Sequence, residues 1–226
     1  MRNFLALIFV HFVAIGCNTT AEQKKQSENL QYATLMSYNK NDDAEPHYKR
    51  NIKDTLTADG WAIEYLVRND STKQKDLYIQ WSKGNCKRVY RGNHLLELQS
   101  YFTPVFKTET VNYIFMDFEV RGGNGVLILP KNNTASEVSF SYVIGYNPEY
   151  AQVAYIPKSS YSLDHLDVEA YDLKSGKTKS VRFSHPCSVT PENECVTEVK
   201  FDKKQIQILA NPNSDRNSTE IKTISF

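Results

Sequence analysis

From Trp61 onward, apolar and polar residues alternate along much of the chain with a period of two. In "WAIEYLVR", Trp61, Ile63, Tyr65 and Val67 occupy one set of alternating positions, and Glu64 belongs to the other. Successive side chains of a β-strand point to opposite faces, so this alternation predicts strands with one buried face. The same alternation occurs in "DLYIQW", "NYIFMDFEV" and "EVSFSYVIGY".

Short turns join these segments into hairpins. "KGN" (Lys83–Asn85) leads into "CKRVY", and "GGNG" (Gly122–Gly125) leads into "VLILP". The continuous apolar run in "VLILP" is typical of a strand buried on both faces. Two further hairpins are predicted, one around Ser175-Gly176-Lys177 and one around Asp202-Lys203-Lys204, and "TEIKTISF" adds a last strand.

Two other segments carry less regular patterns. Leu30 to Tyr38 contains a first strand, and "HLLELQSYF" (His94–Phe102) fits a short helix. "EVSFSYVIGY" is long enough to be interpreted as one strand, and its one-face residues are then Val138, Phe140, Tyr142, Ile144 and Tyr146.

About ten strands with short turns predict a mostly β fold, and the whole of residues 30–226 is interpreted as a single all-β domain. We expect an antiparallel β-sandwich or a barrel-like domain. The alternative is a set of partial β-propeller-like blades, since the last third of the chain carries strand, "DLKSGK" turn and strand in succession.

The N-terminus has a different character. Arg2 precedes an apolar run from Phe4 to Ile15 that is interrupted only by His11. Twelve residues form a helix of roughly 18 Å, which is too short for a hydrocarbon core of about 30 Å. The pattern therefore predicts an export signal rather than a membrane span.

"AIGC" (Ala14 to Cys17) resembles the lipobox of bacterial lipoproteins, and in general character the chain is similar to lipoproteins of Bacteroidota. The resemblance implies that residues 1–16 are a signal peptide and that the Cys17 sulfur receives a diacylglycerol. Asn18 after the cysteine resembles the sequence context of lipoproteins delivered to the outer membrane. The polar residues that follow could not bury enough apolar surface to fold, so residues 17–29 are predicted to be a flexible tether.

The charge balance bears on possible partners. The chain has 27 Lys and Arg against 26 Asp and Glu. Nucleic-acid binding needs clustered positive charge, so we expect no nucleic-acid partner. The expected associations are with a membrane through the lipid anchor and with a glycan or an envelope protein.

The cysteines predict one disulfide. Cys187 and Cys195 flank "SVTPENE", in which Pro191 and Asn193 favour a turn, and disulfides persist outside the cytoplasm. Cys86 is then left over, or it is the true partner of one of the other two.

The sequence predicts neither a metal site nor a cofactor. None of the four histidines after the leader forms an H-E-x-x-H or a paired His/Cys spacing. His185 and Cys187 with Cys195 could start a zinc site, but an obvious fourth ligand is lacking.

Acid–base chemistry has one candidate segment. His165, Asp167 and Glu169 would share one face of a strand, with Leu166 and Val168 on the other face. A half-exposed strand shows the same polarity, so we predict no catalytic residues. The alternative is an envelope hydrolase whose residues come from separate loops, with these three and His94 as the candidates.

Aromatic residues are the most suggestive feature, with 14 Tyr, 11 Phe and 2 Trp. Tyr146, Tyr150 and Tyr161 lie in or beside loops, where flat rings with polar tips could bind a ligand. The function expected from the sequence is therefore a lipid-anchored envelope protein at the outer membrane, periplasmic or surface-exposed, that acts as a non-catalytic binding or structural module.

Overall fold

The computed structural model describes residues 35–37, 52–68, 77–92, 102–157, 165–187, 192–211 and 219–226. These residues form sixteen β-strands and one turn of 3-10 helix, Glu192–Cys195. The mostly β prediction is therefore confirmed. The described part of the chain contains no helix that is long and apolar enough to cross a membrane.

The first sheet contains three longer antiparallel strands in succession, β3, β4 and β5, and two short strands, β1 and β2, that both pair with β3. Its strand order is β1-β3-β4-β5, and β2 also pairs with β3. In the register, Ile63 lies opposite Trp81 and Lys83 opposite Cys86, across the predicted turn. The strands of sheet 1 are β1 (Leu35–Ser37), β2 (Thr55–Leu56), β3 (Ala62–Arg68), β4 (Leu77–Lys83) and β5 (Cys86–Arg91).

The second sheet is a meander of four consecutive antiparallel strands in the order β6-β7-β8-β9. Its long central hairpin pairs Val120 with Gly123, so the turn residues are Arg121 and Gly122. Gly122 has a φ of 82°, which favours glycine. The strands of sheet 2 are β6 (Val105–Glu109), β7 (Tyr113–Val120), β8 (Gly123–Pro130) and β9 (Val138–Ser141).

The remaining two sheets are also meanders. Sheet 3 has the order β10-β11-β12-β13, and sheet 4 has the order β14-β15-β16. Both predicted hairpins, β12–β13 and β14–β15, are confirmed. The strands are β10 (Val143–Asn147), β11 (Gln152–Tyr155), β12 (Asp167–Asp172), β13 (Lys177–Arg182), β14 (Val196–Asp202), β15 (Gln205–Ala210) and β16 (Glu220–Ser225).

Three apolar cores join successive sheets face to face. Sheets 1 and 2 bury Trp81, Ile63 and Met116 between them, and sheets 2 and 3 bury a second set that includes Phe115. Sheets 3 and 4 bury a third set, with Val168, Ala170, Phe183, Ile206, Ile208 and Ile224 among its members. Antiparallel sheets packed through their apolar faces are the architecture of a β-sandwich. Each sheet consists largely of strands that are consecutive in the sequence, and the blades of the propeller-like alternative would have the same feature.

Sheet 2 is buried on both faces. On β7, Ile114 and Met116 contact the core shared with sheet 1, whereas Phe115 contacts the core shared with sheet 3. Its neighbour β8 has six consecutive buried residues, from Gly125 to Pro130. The prediction that "VLILP" is a strand buried on both faces is confirmed.

The prediction that "EVSFSYVIGY" is one strand is wrong. The segment forms β9 of sheet 2 and β10 of sheet 3, and Tyr142 between them has a φ of 57°. The chain passes from one sheet to the other at Tyr142, and a β-bulge between Val143 and Gly145 interrupts the alternation of faces within β10. Phe140 and Tyr146 therefore contact the core between sheets 2 and 3, while Tyr142 and Ile144 contact the core between sheets 3 and 4.

A cluster of ion pairs, which we call the Lys131 cluster, ties sheet 1 to sheet 2. The Lys131 side chain follows β8 and is only 5% exposed, and its Nζ lies 2.6 Å from Asp59 Oδ2 and 2.6 Å from Glu109 Oε2. The backbone N–H of Asp59, in the turn before β3, donates to Glu109 Oε1 at 2.8 Å. Lys83 also donates to the Asp59 carbonyl. The turn of one sheet is thus held to the strand ends of the next.

Several features expected from the sequence lie outside the described residues. These are the signal peptide (1–16), Cys17, the tether (17–29), His94 and Tyr161. Of the segment interpreted as a short helix, only Phe102 is described. Strands β2 to β16 all belong to one compact unit, Met36–Phe226.

Candidate functional site

The polar face predicted around β12 is present, and ion pairs occupy it. His165 Nε2 lies 3.2 Å from Asp167 Oδ2. Arg182, the cross-strand partner of Asp167, donates from Nε at 2.9 Å and from a terminal nitrogen at 3.0 Å. These hydrogen bonds from Arg182 lower the pKa of Asp167 against the opposing effect of burial, and the charges of Arg182 and His165 act in the same direction.

Glu169, the third residue of that face, is bound by a phenol. The Tyr155 hydroxyl donates to Glu169 Oε2 at 2.5 Å. Burial raises the pKa of Tyr155, and the hydrogen bond to Glu169 and its charge raise it further, so the phenol stays protonated. Leu166 and Val168 are buried on the opposite face. The face is therefore a half-exposed strand surface with a bidentate arginine pair, which is the structural alternative given above.

The three predicted tyrosines do not form one platform. Tyr146 lies on β10 and lines a cleft, whereas Tyr150 lies in the turn between β10 and β11, where its N–H is bonded to Asn147 Oδ1 at 2.9 Å. Tyr161 is outside the described residues. Tyr146 borders a concave surface that also carries polar side chains of β7 and β8.

That cleft, which we call the β7–β10 cleft, has a volume of about 390 Å³. It opens beside the β7–β8 hairpin of sheet 2 and against β10 of sheet 3. Its size lies within the range of about 300 to 1,000 Å³ that is typical of small-ligand sites. Its lining includes Asp117, Glu119, Asn124, Gly125, Gly145 and Tyr146.

Tyr146 is fixed in the cleft by two contacts. Its ring stacks on the fully buried Phe115, with 5.5 Å between ring centroids and 4° between ring planes. Its hydroxyl donates to Asp117 Oδ1 at 2.6 Å. Burial raises the pKa of Tyr146, and the hydrogen bond to Asp117 and the charge of Asp117 raise it further, so the phenol remains a donor. The cleft therefore presents a rigid aromatic ring and a carboxylate of fixed orientation.

The carboxylates of the cleft follow from strand geometry. Asp117 and Glu119 are two residues apart on β7 and share its sheet-3 face, and Asn124 on β8 lies directly opposite Glu119. Lys107 pairs with Asp117 from outside the cleft: its Nζ lies 3.9 Å from Asp117 Oδ2, and its side chain is 63% exposed. Within the described chain, the charged residues that line the cleft are Asp117 and Glu119.

Gly125 borders the cleft, and a neighbouring aromatic ring leaves no room for a side chain at this position. A Cβ at this position would lie 2.3 Å from Phe118 Cε2, its cross-strand partner. The Phe118 ring packs on the core between sheets 1 and 2, and Phe118 also borders the cleft.

We therefore expect Gly125→Ala to lower the free energy of unfolding by about 1 to 3 kcal/mol, because the Phe118 ring must move out of its place. Urea unfolding followed by circular dichroism measures the loss. In the Phe118→Leu background the same change should cost clearly less, since the contact is then absent. An equal cost in both backgrounds would show that Phe118 is not the cause.

A second pocket of about 550 Å³ lies where turns of sheets 2 and 3 meet. It is bordered by Asn112 in the β6–β7 turn, by Tyr113 at the start of β7, and by Glu149 and Lys174. The Asn112 carbonyl accepts from the Lys131 N–H at 2.8 Å, and the Tyr113 hydroxyl donates to the Leu173 carbonyl at 3.1 Å. These polar groups are used in hydrogen bonds that hold the turns in place. Val111, which is 86% exposed, also lines this pocket.

The predicted pairing of Cys187 with Cys195 is confirmed. Their Cα atoms are 5.9 Å apart and their sulfurs are bonded. Cys195 is 2% exposed and packs in the core between sheets 3 and 4. Cys86 carries no disulfide, and its Sγ lies 3.0 Å from Asn133 Oδ1.

Reduction should lower the free energy of unfolding by about 2.5 kcal/mol, the loop entropy expected for two cysteines eight positions apart. Thermal unfolding with and without a phosphine reductant tests this. The Cys187→Ser/Cys195→Ser double variant should match the reduced protein and lose its response to reductant, whereas Cys86→Ser should behave as the unchanged chain. Insensitivity of the unchanged chain to reductant would contradict the prediction.

Sequence reasoning missed Asp117, Glu119 and Asn124 as site residues. Two carboxylates at positions i and i+2 of a strand with an otherwise apolar pattern were a usable signal, because they interrupt a buried face. Within the described residues, no group of three His, Cys, Asp or Glu side chains could hold a metal ion. Comparison of the chain with protein-family models, with curated proteins and with solved structures finds no match.

Proposed function

We propose that this chain is a lipid-anchored protein of the bacterial outer membrane whose β-domain is a non-catalytic module that binds a glycan in the β7–β10 cleft. Cys17 carries the lipid, and residues 17–29 hold the domain away from the membrane. The observation that carries the proposal is the combination of a fixed aromatic ring, carboxylates and an amide in one concave site.

These groups match the chemistry of sugars. The flat face of a pyranose carries C–H groups that pack on an aromatic ring, while its hydroxyls donate to carboxylates and exchange hydrogen bonds with amides. Tyr146 provides the ring, Asp117 and Glu119 provide acceptors, and Asn124 provides both a donor and an acceptor. Because Tyr146 is held by Phe115 and Asp117, little rotamer entropy is lost on binding.

A protein partner is supported less well. Stable protein interfaces bury about 800 Å² on each side around an apolar centre. The large hydrophobic residues that are exposed in the described part of the chain are Leu56, Val111 and Ile221, and they belong to sheet 1, to a turn of sheet 2 and to sheet 4. They do not lie on one sheet as a shared apolar patch would require.

The hydrolase alternative has its best candidates in the β12 face. A general acid–base pair needs a group held near a reacting atom in a cleft. Asp167 is bound by Arg182 and Glu169 by Tyr155, and neither borders the β7–β10 cleft. The cleft therefore supports binding better than the β12 face supports hydrolysis.

The test of binding is a thermal-shift screen of the purified full-length protein against envelope oligosaccharides, followed by calorimetry of any hit. A ligand at 100 times its Kd should add about 2.7 kcal/mol of stability. Tyr146→Ala should remove the shift, and Tyr150→Ala is the matched control that should keep it. Release of sugar products during incubation, lost in His165→Ala or Asp167→Ala, would favour the hydrolase instead.

The anchor is tested separately by labelling cells with radioactive palmitate. The unchanged chain should incorporate label and sediment with outer membranes. Cys17→Ala should lose both properties, whereas Cys86→Ala should keep them. Label that persists in Cys17→Ala would refute lipidation at this residue.

A further inference from the structure

We propose, building on the glycan-binding function above, that the second pocket is a further sugar subsite. One extended glycan chain would then occupy this pocket and the β7–β10 cleft together. The chemical class is a linear oligosaccharide of uncharged hexose or N-acetylhexosamine units. The inference depends on the cleft being a binding site, and it adds the length and the charge of the ligand.

Both pockets lie along the same two strands. The cleft is lined by Asp117 on β7 and by Tyr146 on β10. The second pocket is lined by Tyr113 at the start of β7 and by Pro148 directly after β10. β7 therefore passes the second pocket first and the cleft afterwards, and β10 passes them in the reverse order. A ligand that lies along these strands can occupy both.

Each pocket contains a half-buried tyrosine ring that is fixed against Phe115. The ring centroids of Tyr113 and Tyr146 lie 6.4 and 5.5 Å from that of Phe115, so no more than about 12 Å separates the two tyrosine rings. Both hydroxyls are held as donors, that of Tyr113 by the Leu173 carbonyl and that of Tyr146 by Asp117. Two fixed rings at this spacing suit separate sugar units of one chain.

A single sugar does not reach both pockets. Tyr113 and Asp117 are four positions apart on β7, which corresponds to about 13 Å along a strand. The ligand that uses both pockets is therefore an oligosaccharide, and its affinity should depend on its length.

The second pocket is shaped before any ligand binds. Its volume of about 550 Å³ lies within the range of about 300 to 1,000 Å³ that is typical of ligand sites. Backbone hydrogen bonds hold its turns: the Lys131 N–H donates to the Asn112 carbonyl at 2.8 Å, and the Leu173 N–H donates to the Ala151 carbonyl at 2.9 Å. Little backbone entropy is then lost when a sugar enters.

The charges on this surface favour an uncharged ligand. In the cleft, Asp117 already has Lys107 as a counter-charge, at 3.9 Å. The second pocket is lined by charges of both signs, those of Glu149 and Lys174. A charged sugar would meet like charge as well as opposite charge. Sugar hydroxyls, in contrast, can donate to the carboxylates and accept from the ammonium group.

The experiment is isothermal titration calorimetry of the purified full-length protein with two series of linear oligosaccharides. The probes are cello-oligosaccharides and N-acetylglucosamine oligomers, each as the dimer, the tetramer and the hexamer. We expect a tetramer to bind about 10-fold or more tightly than its dimer, because contacts in the second pocket add to those in the cleft within one molecule. The hexamer should add little to the affinity of the tetramer.

The variants locate the effect. Glu149→Ala and Lys174→Ala change exposed residues of the second pocket, and each should lower the ratio of tetramer to dimer affinity about 5-fold, the effect of one hydrogen bond. The double variant should bring this ratio close to one. Lys203→Ala is the matched control, since Lys203 is an exposed residue of the β14–β15 turn that lines neither pocket, and it should keep the ratio. Tyr146→Ala should remove binding at every length.

The outcomes separate the two proposals. Equal affinity for dimer and tetramer, lost in Tyr146→Ala, would overturn the second subsite and leave the glycan-binding function intact. A length dependence that survives the Glu149→Ala/Lys174→Ala double variant would also overturn the inference, because the added sugars would then be bound elsewhere.

The absence of binding is equally decisive. If neither series bound but another sugar of the thermal-shift screen did, the assignment to an uncharged linear chain would be wrong while the glycan-binding function would stand. Failure of every sugar in the screen would overturn both.

Discussion

Trp81→Ala should lower the free energy of unfolding by about 3 to 5 kcal/mol, the usual cost of removing a large aromatic side chain from a core. The Trp81 side chain is fully buried between sheets 1 and 2, and its indole N–H donates to the Pro130 carbonyl at 2.8 Å. The change therefore leaves a cavity and also removes the donor for a carbonyl of the neighbouring sheet. Urea unfolding measured by circular dichroism gives the loss.

Two variants sharpen this test. Trp81→Phe keeps much of the volume but loses the N–H, so it should cost about 1 to 3 kcal/mol. Leu56→Ala is the control for removal of an exposed apolar side chain, since Leu56 is 74% exposed, and it should change stability by less than about 0.5 kcal/mol. If Trp81→Ala were as mild as Leu56→Ala, the core between sheets 1 and 2 would not be what stabilises the fold.

Lys131→Met should cost about 3 kcal/mol, because breaking a buried ion pair leaves an uncompensated charge behind. In the Lys131 cluster, the Glu109 side chain is 10% exposed and would lose the cation 2.6 Å from its carboxylate. Lys107→Met is the matched control, since Lys107 is mostly exposed and its partner Asp117 is 3.9 Å away. That change should fall within about 0.5 kcal/mol.

The same cluster gives the protein a defined sensitivity to acid. The hydrogen bond and charge of Lys131 lower the pKa of Asp59. Burial raises the pKa of Glu109, but hydrogen bonds from Lys131, from the Asp59 backbone and from Thr57 outweigh it and leave the pKa lowered. A carboxyl whose folded pKa is depressed stabilises the fold above its unfolded pKa, and that stability is lost as the pH falls through the folded pKa.

Stability should therefore decline below the ordinary carboxyl pKa of about 4, and Lys131→Met should decline less steeply there than the unchanged chain. Melting temperatures between pH 3 and pH 7 measure both slopes. Parallel slopes for the two proteins would show that the cluster contributes little to acid sensitivity.

The strands that the sequence predicted well are those whose burial is set locally. In β3 the alternation of Ile63 and Tyr65 with Glu64 is itself the pattern of a half-buried strand, so no knowledge of its neighbours is needed. The continuous apolar run of β8 is likewise local. The short strands β6 and β11 were missed, because four or five residues give too few repeats to establish a period.

Membership of a sheet was not predictable in the same way. The chain passes from sheet 2 to sheet 3 at Tyr142 and is bulged between Val143 and Gly145, although the apolar pattern of the sequence continues across both positions. Non-glycine residues with positive φ are uncommon, and tyrosine has no special preference for that conformation. The switch of sheets is seen only in the strand pairing, in which β9 pairs with β8 and β10 pairs with β11.

The candidate site was predicted only in part. Tyr146 was selected because an aromatic residue near a loop is often exposed, and it does border the cleft. In the sequence, Asp117 and Glu119 have the pattern of the polar face of a half-exposed strand. Their place in the cleft depends on the packing of β10 against sheet 2, which the pattern does not contain. For the same reason the bonding of Asp167 by Arg182 was not predicted, since it depends on the register of β12 against β13.

The layered packing has a consequence for how the native state opens. Sheet 2 shares one core with sheet 1 and another with sheet 3, whereas sheet 4 shares the core with sheet 3 that includes Ile206 and Ile224. When units are stabilised mainly by their neighbours, those with fewer interfaces detach first. Amide hydrogens of β14 to β16 should therefore exchange with solvent through partial opening, ahead of those of β7 and β8. The slowest exchange should mark β7, which carries Asp117 and Glu119, and β8, which carries Asn124, so that the cleft is built on the part of the molecule that opens last.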